Sequence, residues 1–100
     1  MKDRCQLKYM HAIKNPWDNA INKPFEKRTV LVELRAVETH ETDEIDCQIY
    51  QIDGPMMTER NWIGSGFGKT LLEAQRVALE DAEFFLMNQS RKLWDQPLTQ

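Results

Sequence analysis

The sequence predicts an α+β domain in which a three-stranded antiparallel sheet is covered on one face by a long C-terminal helix. Three observations carry this expectation. Two runs alternate apolar and polar residues with a period of two, at Thr29–Val37 and Ile45–Ile52. A glycine-rich stretch, Gly64-Ser65-Gly66-Phe67-Gly68, runs directly into a helical pattern. That pattern places Ala74, Ala78 and Ala82 four residues apart, a smooth stripe on which a helix can lie close to a sheet.

Taken in order, residues 1–28 form an N-terminal segment. Cys5, Tyr9 and Ile13 have helical spacing, whereas Cys5, Leu7 and Tyr9 also fit a strand; a short helix is expected. Asn15-Pro16-Trp17-Asp18-Asn19 and Lys23-Pro24-Phe25 read as a loop held down by its aromatic residues. Residues 29–90 form a β-β-β-α core. Its first strand turns Val30, Val32, Leu34 and Ala36 to one side. A polar, acidic connection, Glu38 to Glu44, leads to the second strand, with Ile45, Cys47 and Ile49 on one face and Tyr50 and Ile52 on the other. Asp53-Gly54-Pro55 signals a turn, and the third strand is expected over about Thr58 to Gly64.

Thr70-Leu71-Leu72-Glu73 has the form of a capping box, in which the Thr hydroxyl accepts an orphan backbone N–H. The helix it opens is expected to reach about Gln89, with an inner stripe of Leu71, Ala74, Ala78, Ala82, Phe85 and Leu86. Arg91 and Lys92 suit the negative end of its dipole. Residues 91–100 remain as a C-terminal tail.

Composition excludes several classes. One hundred residues support one core, and 41% hydrophobic with 29% charged content is that of a globular chain. No apolar run approaches the ~18 residues of a membrane span. No apolar signal-peptide core follows Met1-Lys2-Asp3-Arg4-Cys5-Gln6, so the expected location is cytoplasmic. Cys5 and Cys47 match no metal or redox spacing and are expected to be inert thiols of a reducing compartment. The net charge of −3 is unevenly spread: residues 1–35 carry +4 and residues 36–100 carry −7, which points to a basic face or arm on an acidic body.

No catalytic or cofactor motif is complete in the sequence. Gly68-Lys69-Thr70 supplies the end of a phosphate-binding loop, but the leading glycine would have to occupy position 63, which is Ile63. Gly64 stands one residue too close, so the loop is too short to wrap a phosphate. His40-Glu41 does not continue into a zinc-binding pair, because position 44 is Glu44. His11 and His40 belong to no nucleophile–base set. The expectation is a non-enzymatic chain with no metal or cofactor.

The end of the chain resembles the double-stranded RNA-binding domain, an α-β-β-β-α fold. Gly66 and Gly68 take that family's two glycine places and Thr70 its serine place. Ala74, Ala78 with Leu79, and Ala82 take its alanine places, without a gap. The resemblance implies three strands followed by the capped helix, and duplex-RNA contacts from lysines at the helix start. Here Leu71 and Leu72 stand in the paired lysine places and Gln75 in the third, so three phosphate-neutralising charges are missing. The family's minor-groove histidine has a counterpart in His40, without the preceding Gly-Pro and amid Glu38, Glu41, Asp43 and Glu44. A fainter resemblance links Ile52-Asp53-Gly54, Gly64-Ser65-Gly66 and Glu73–Ala78 to the β-β-β-α core of single-strand-annealing recombination proteins.

The leading functional expectation is a small binding module of this fold that contacts a protein partner, or a second copy, through a sheet face, the Leu71/Leu72 helix start or the aromatic residues Trp17 and Phe25. The alternative is nucleic-acid binding through the basic N-terminal residues Lys23, Lys27 and Arg28 together with Lys69 and His40. An acidic mimic of nucleic acid, built on Glu38 to Glu44 with Glu73, Glu80, Asp81 and Glu83, is the third reading.

Overall fold

The computed structural model describes residues 2–12, 25–39, 41 and 43–95. Four antiparallel strands form one sheet in the order β1-β2-β3-β4, where β1 is Lys2–Ala12, β2 Phe25–Thr39, β3 Glu44–Asp53 and β4 Glu59–Gly68. A single helix, α1, spans Leu71–Asp95. The α+β class and a C-terminal helix are as the sequence predicts, but the helix runs past the expected end near Gln89 to Asp95, and the strand count is four rather than three.

The added strand is β1. Residues expected to form a short helix pair instead with β2, Cys5 opposite Val32 and Leu7 opposite Val30. Leu7 and Tyr9 thereby enter the core, and an isolated helix turn would have left that edge of β2 unpaired. β2 begins at Phe25, so Phe25, Lys27 and Arg28 belong to the sheet and not to a preceding loop.

The strand before the helix also runs further than expected. Gly64, Gly66 and Gly68 continue β4, opposite Ile49, Cys47 and Ile45 of β3. Glycine is a poor strand former, and tertiary contact overrides that here: the helix backbone lies where side chains would otherwise stand. Only Lys69 and Thr70 connect β4 to α1, too short a link for any phosphate-wrapping loop.

α1 starts over β4 and ends over β1. The Thr70 hydroxyl accepts the Glu73 N–H at 3.1 Å, as the cap predicts. The helix turns Ala74, Ala78, Ala82 and Leu86 onto Leu7, Val32, Leu34, Cys47, Ile49 and Ile63. Phe85, expected on this inner stripe, is 40% exposed, because Leu86 takes the inward place. α1 also ties down both outer strands. Asp81 accepts the Ser65 N–H of β4 at 3.0 Å, and the Ser90 hydroxyl accepts the Ala12 N–H of β1 at 2.9 Å. Each bond satisfies a strand-edge donor.

Candidate nucleic-acid interface

Covering one face of the sheet leaves the other open. Alternation sends Cys5, Leu7, Val32, Leu34, Cys47 and Ile49 towards the helix, and their neighbours to the uncovered face. There the register lines up cross-strand rows. Arg4, Glu33, Tyr50 and Trp62 form one row; Arg35, Gln48 and Ser65 the next; Val37, Asp46 and Phe67 a third.

Trp62 and Phe67 are five residues apart, so an unbroken strand would put them on opposite faces. A bulge at Ile63 prevents this. Ile49 faces Gly64 while Tyr50 faces Trp62, which leaves Ile63 as the extra residue, and that residue turns into the core. Both aromatic rings therefore reach the uncovered face, 51% and 54% exposed.

Polar partners hold this surface in place. The Trp62 indole N–H donates to Gln48 Oε1 at 2.6 Å, and the Gln48 amide donates to Asp46 Oδ1 at 2.7 Å. An indole can only donate and a carboxylate only accept, so one orientation of Gln48 serves both. The Arg35 guanidinium lies 4.4 Å from the centre of the Tyr50 ring, a cation–π contact. Glu33 is buried between two cations: Arg35 Nε donates to one carboxylate oxygen at 2.6 Å and Arg60 Nε to the other at 3.4 Å. The Arg35 hydrogen bond holds the Glu33 carboxyl below its ordinary pKa, against the opposing pull of burial and with further help from Arg60.

Among the described residues, charge divides the molecule into two sides. The uncovered face presents Arg4, Lys8, Lys27, Arg35 and Arg60 against Glu33, Glu44 and Asp46; Glu33 engages Arg35 and Arg60 alike, so five cations stand against three anions there. The solvent side of α1 presents Glu73, Glu80, Asp81 and Glu83 against Arg76 and Arg91. Arg76 pairs with Glu80 one turn away at 3.3 Å.

The residues expected to act together are distributed differently. Lys69 lines a cleft with Glu38, Asp43 and Glu44, where carboxylates compete with any phosphate for its ammonium. Lys27 and Arg28 sit near the start of β2, at the opposite end of the sheet from Lys69, and Arg28 is paired with Glu26 at 2.7 Å. Lys23, His40 and Trp17 lie outside the described residues. Leu71 lines a second cleft with Ala36, Glu38 and Ile45, whereas Leu72 is 78% exposed. Phe25 is half-buried, with the Arg91 guanidinium 5.2 Å from its ring centre.

Arg60, Tyr50, Trp62 and Phe67 are not among the site residues the sequence points to, and Arg4, Lys8 and Arg35 enter there only through the +4 balance of residues 1–35. One signal was available: Tyr50 falls on the second face of an alternating strand, where a solvated sheet normally carries polar residues. Cys5 and Cys47 are free thiols, and among the described residues no group of three His, Cys, Asp or Glu side chains has metal-holding geometry. No described helix is long and apolar enough to cross a membrane. No family model, curated protein or solved structure matches this chain.

Proposed function

We propose that this chain is a non-enzymatic binding module that recognises nucleic acid with the uncovered face of its sheet. The observation that carries the reading is the joint exposure of Trp62 and Phe67 on the cationic side of a molecule whose helix side is acidic. Cations supply the salt-dependent attraction to phosphates, and aromatic rings supply a surface for bases. The resemblance of Gly66–Ala82 to the double-stranded RNA-binding domain supports a nucleic-acid role only in outline, since its phosphate-contacting lysines are replaced here by Leu71, Leu72 and Gln75.

A gel-shift titration against a random-sequence pool of single- and double-stranded nucleic acid tests this. The expected result is a salt-sensitive shift that Arg4→Glu with Lys8→Glu removes and Lys69→Glu leaves intact. A shift that depends on Lys69 and not on Arg4 and Lys8 contradicts the reading, as does no shift at all.

A second reading has its own support. Leu72, Phe84 and Phe85 are 78%, 59% and 40% exposed on α1, and such apolar groups suit a protein partner or a second copy. It predicts a dimer in sizing chromatography that Leu72→Ser with Phe84→Ser dissolves.

A further inference from the structure

We infer that the ligand of the uncovered sheet face is a single-stranded nucleic acid, with unpaired bases stacked on Trp62 and Phe67 and the phosphates directed towards β1. This rests on the nucleic-acid reading above and adds strandedness, contacts and direction. Trp62 and Phe67 stand on the same face of one strand with only Ser65 between them there, about 13–16 Å apart along the chain. That spacing accommodates two bases on the rings and a further base above Ser65 and Gln48.

The Trp62 ring is anchored by its N–H to Gln48 while about half of the residue stays exposed, 51%, so its orientation is fixed and surface remains for a base. A ring held this way loses little conformational freedom on binding. Bases inside a duplex have their faces covered by their neighbours, so a platform of this kind reaches only unpaired ones.

Charge sets the direction. Arg4 and Lys8 lie exposed on β1, across the sheet from the aromatic residues of β4, and the Arg35 guanidinium stands between them over Tyr50. Arg60, the cation of β4 itself, is taken up by Glu33 and by the Met57 and Glu59 carbonyls, so bases over β4 leave the sugar–phosphate chain nearest the cations of β1 and β2. The acidic rim at Glu38, Asp43 and Glu44 closes the end of the sheet near Lys69 to the polyanion. A face-to-face second copy would set these cations against their own equivalents, which a polyanion does not.

The test is fluorescence anisotropy of the full chain with a labelled single-stranded RNA, the same sequence as DNA, and the matched duplex, at about 50 and 200 mM salt. Expected is binding of one or both single strands, at least tenfold tighter than the duplex. Trp62→Ala and Phe67→Ala should each weaken it about tenfold, while Trp62→Phe, which keeps a stacking face, retains most of it. Arg4→Ala with Lys8→Ala should lower the salt dependence by one to about two phosphate contacts. Leu72→Ala should change nothing. Equal duplex affinity that ignores Trp62→Ala overturns the single-strand inference and leaves the broader reading standing. No salt-dependent binding to any of the three ligands overturns both.

Discussion

Gly66 of β4 lies directly beneath Ala78 of α1, so close that a β-carbon on Gly66 would collide with the Ala78 amide nitrogen. The relationship repeats in both directions. A β-carbon on Gly64 would stand 2.7 Å from the Ala82 nitrogen, and one on Gly68 2.7 Å from the Ala74 nitrogen. Two strand residues advance about 6.7 Å and four helix residues about 6 Å, so glycines at every second strand position each meet one alanine at every fourth helix position as the helix doubles back over the strand. Gly-x-Gly-x-Gly and Ala-x-x-x-Ala-x-x-x-Ala are two halves of one contact.

Gly64→Ala should therefore destabilise the fold by about 1–3 kcal/mol, read as a fall in the urea midpoint. Trimming the facing side chain should not repair it, because the nearest atom is backbone nitrogen. In the Gly64→Ala background, Ala82→Gly should add its own helix cost of about 1 kcal/mol. A rescue would mean the helix is held by side chains and not by close backbone approach.

The helix start gives a smaller, independent effect. Thr70→Ala removes the hydroxyl that accepts the Glu73 N–H and should cost about 1 kcal/mol in chemical denaturation. Thr70→Ser should be nearly neutral. Equal losses in the two variants would show that the hydroxyl is not the cap.

Much of this architecture was legible in sequence, and the failures have physical causes. β2 and β3 announced themselves because one face of each is buried and the other solvated, which imposes a period of two. β1 was misread because Cys5 and Tyr9, four residues apart, fit both a helix and a strand. What decides is Val30 and Val32 on β2, more than twenty residues later. The end of β4, beyond the expected strand end at about Gly64, carries no strand signal because glycines have no side-chain pattern; they become a strand only when α1 lies on them. The candidate site was hidden by the Ile63 bulge, since Trp62 and Phe67 share a face only once that residue is inserted. Charge alone groups Lys69 with Lys27 and Arg28, whereas the sheet holds them at opposite ends.

Glu33 should govern part of the acid response. The Arg35 hydrogen bond and Arg60 lower its folded pKa, so as pH falls the unfolded chain takes up the proton first. Its stabilisation is fully present above about pH 4–5 and is lost as pH drops through the folded value. Glu33→Gln should cost on the order of 1–2 kcal/mol at neutral pH, a modest figure because Arg35 remains partly solvated. The gap between wild type and variant should stay constant from neutral pH to about 5 and narrow towards pH 3, read from urea midpoints. A gap that widens in acid would reverse the assigned sign.

The two thiols should differ in access. Burial, with Asp3 beside Cys5 and Asp46 beside Cys47, raises both pKa values, so neither is a thiolate at neutral pH. Cys5 is half-buried and Cys47 is fully buried, so a thiol reagent should modify Cys5 first and Cys47 only as the protein unfolds. Because the folded thiols hold their protons longer, their contribution to stability is present below the ordinary thiol pKa of about 8.5 and is lost as pH rises through the folded values. Simultaneous rapid labelling of both under native conditions would contradict the packing of β3 beneath α1.

The most direct measurement is a two-dimensional NMR titration of the isotope-labelled chain with a short single-stranded oligonucleotide, following backbone amides and the Trp62 indole N–H. Shifts are expected on Arg4, Lys8, Tyr50, Trp62 and Phe67, with the indole resonance moving as its ring takes up a base. Shifts confined to Lys69 and the start of α1, or to Leu72 and Phe84, with the Trp62 indole unmoved, would contradict it.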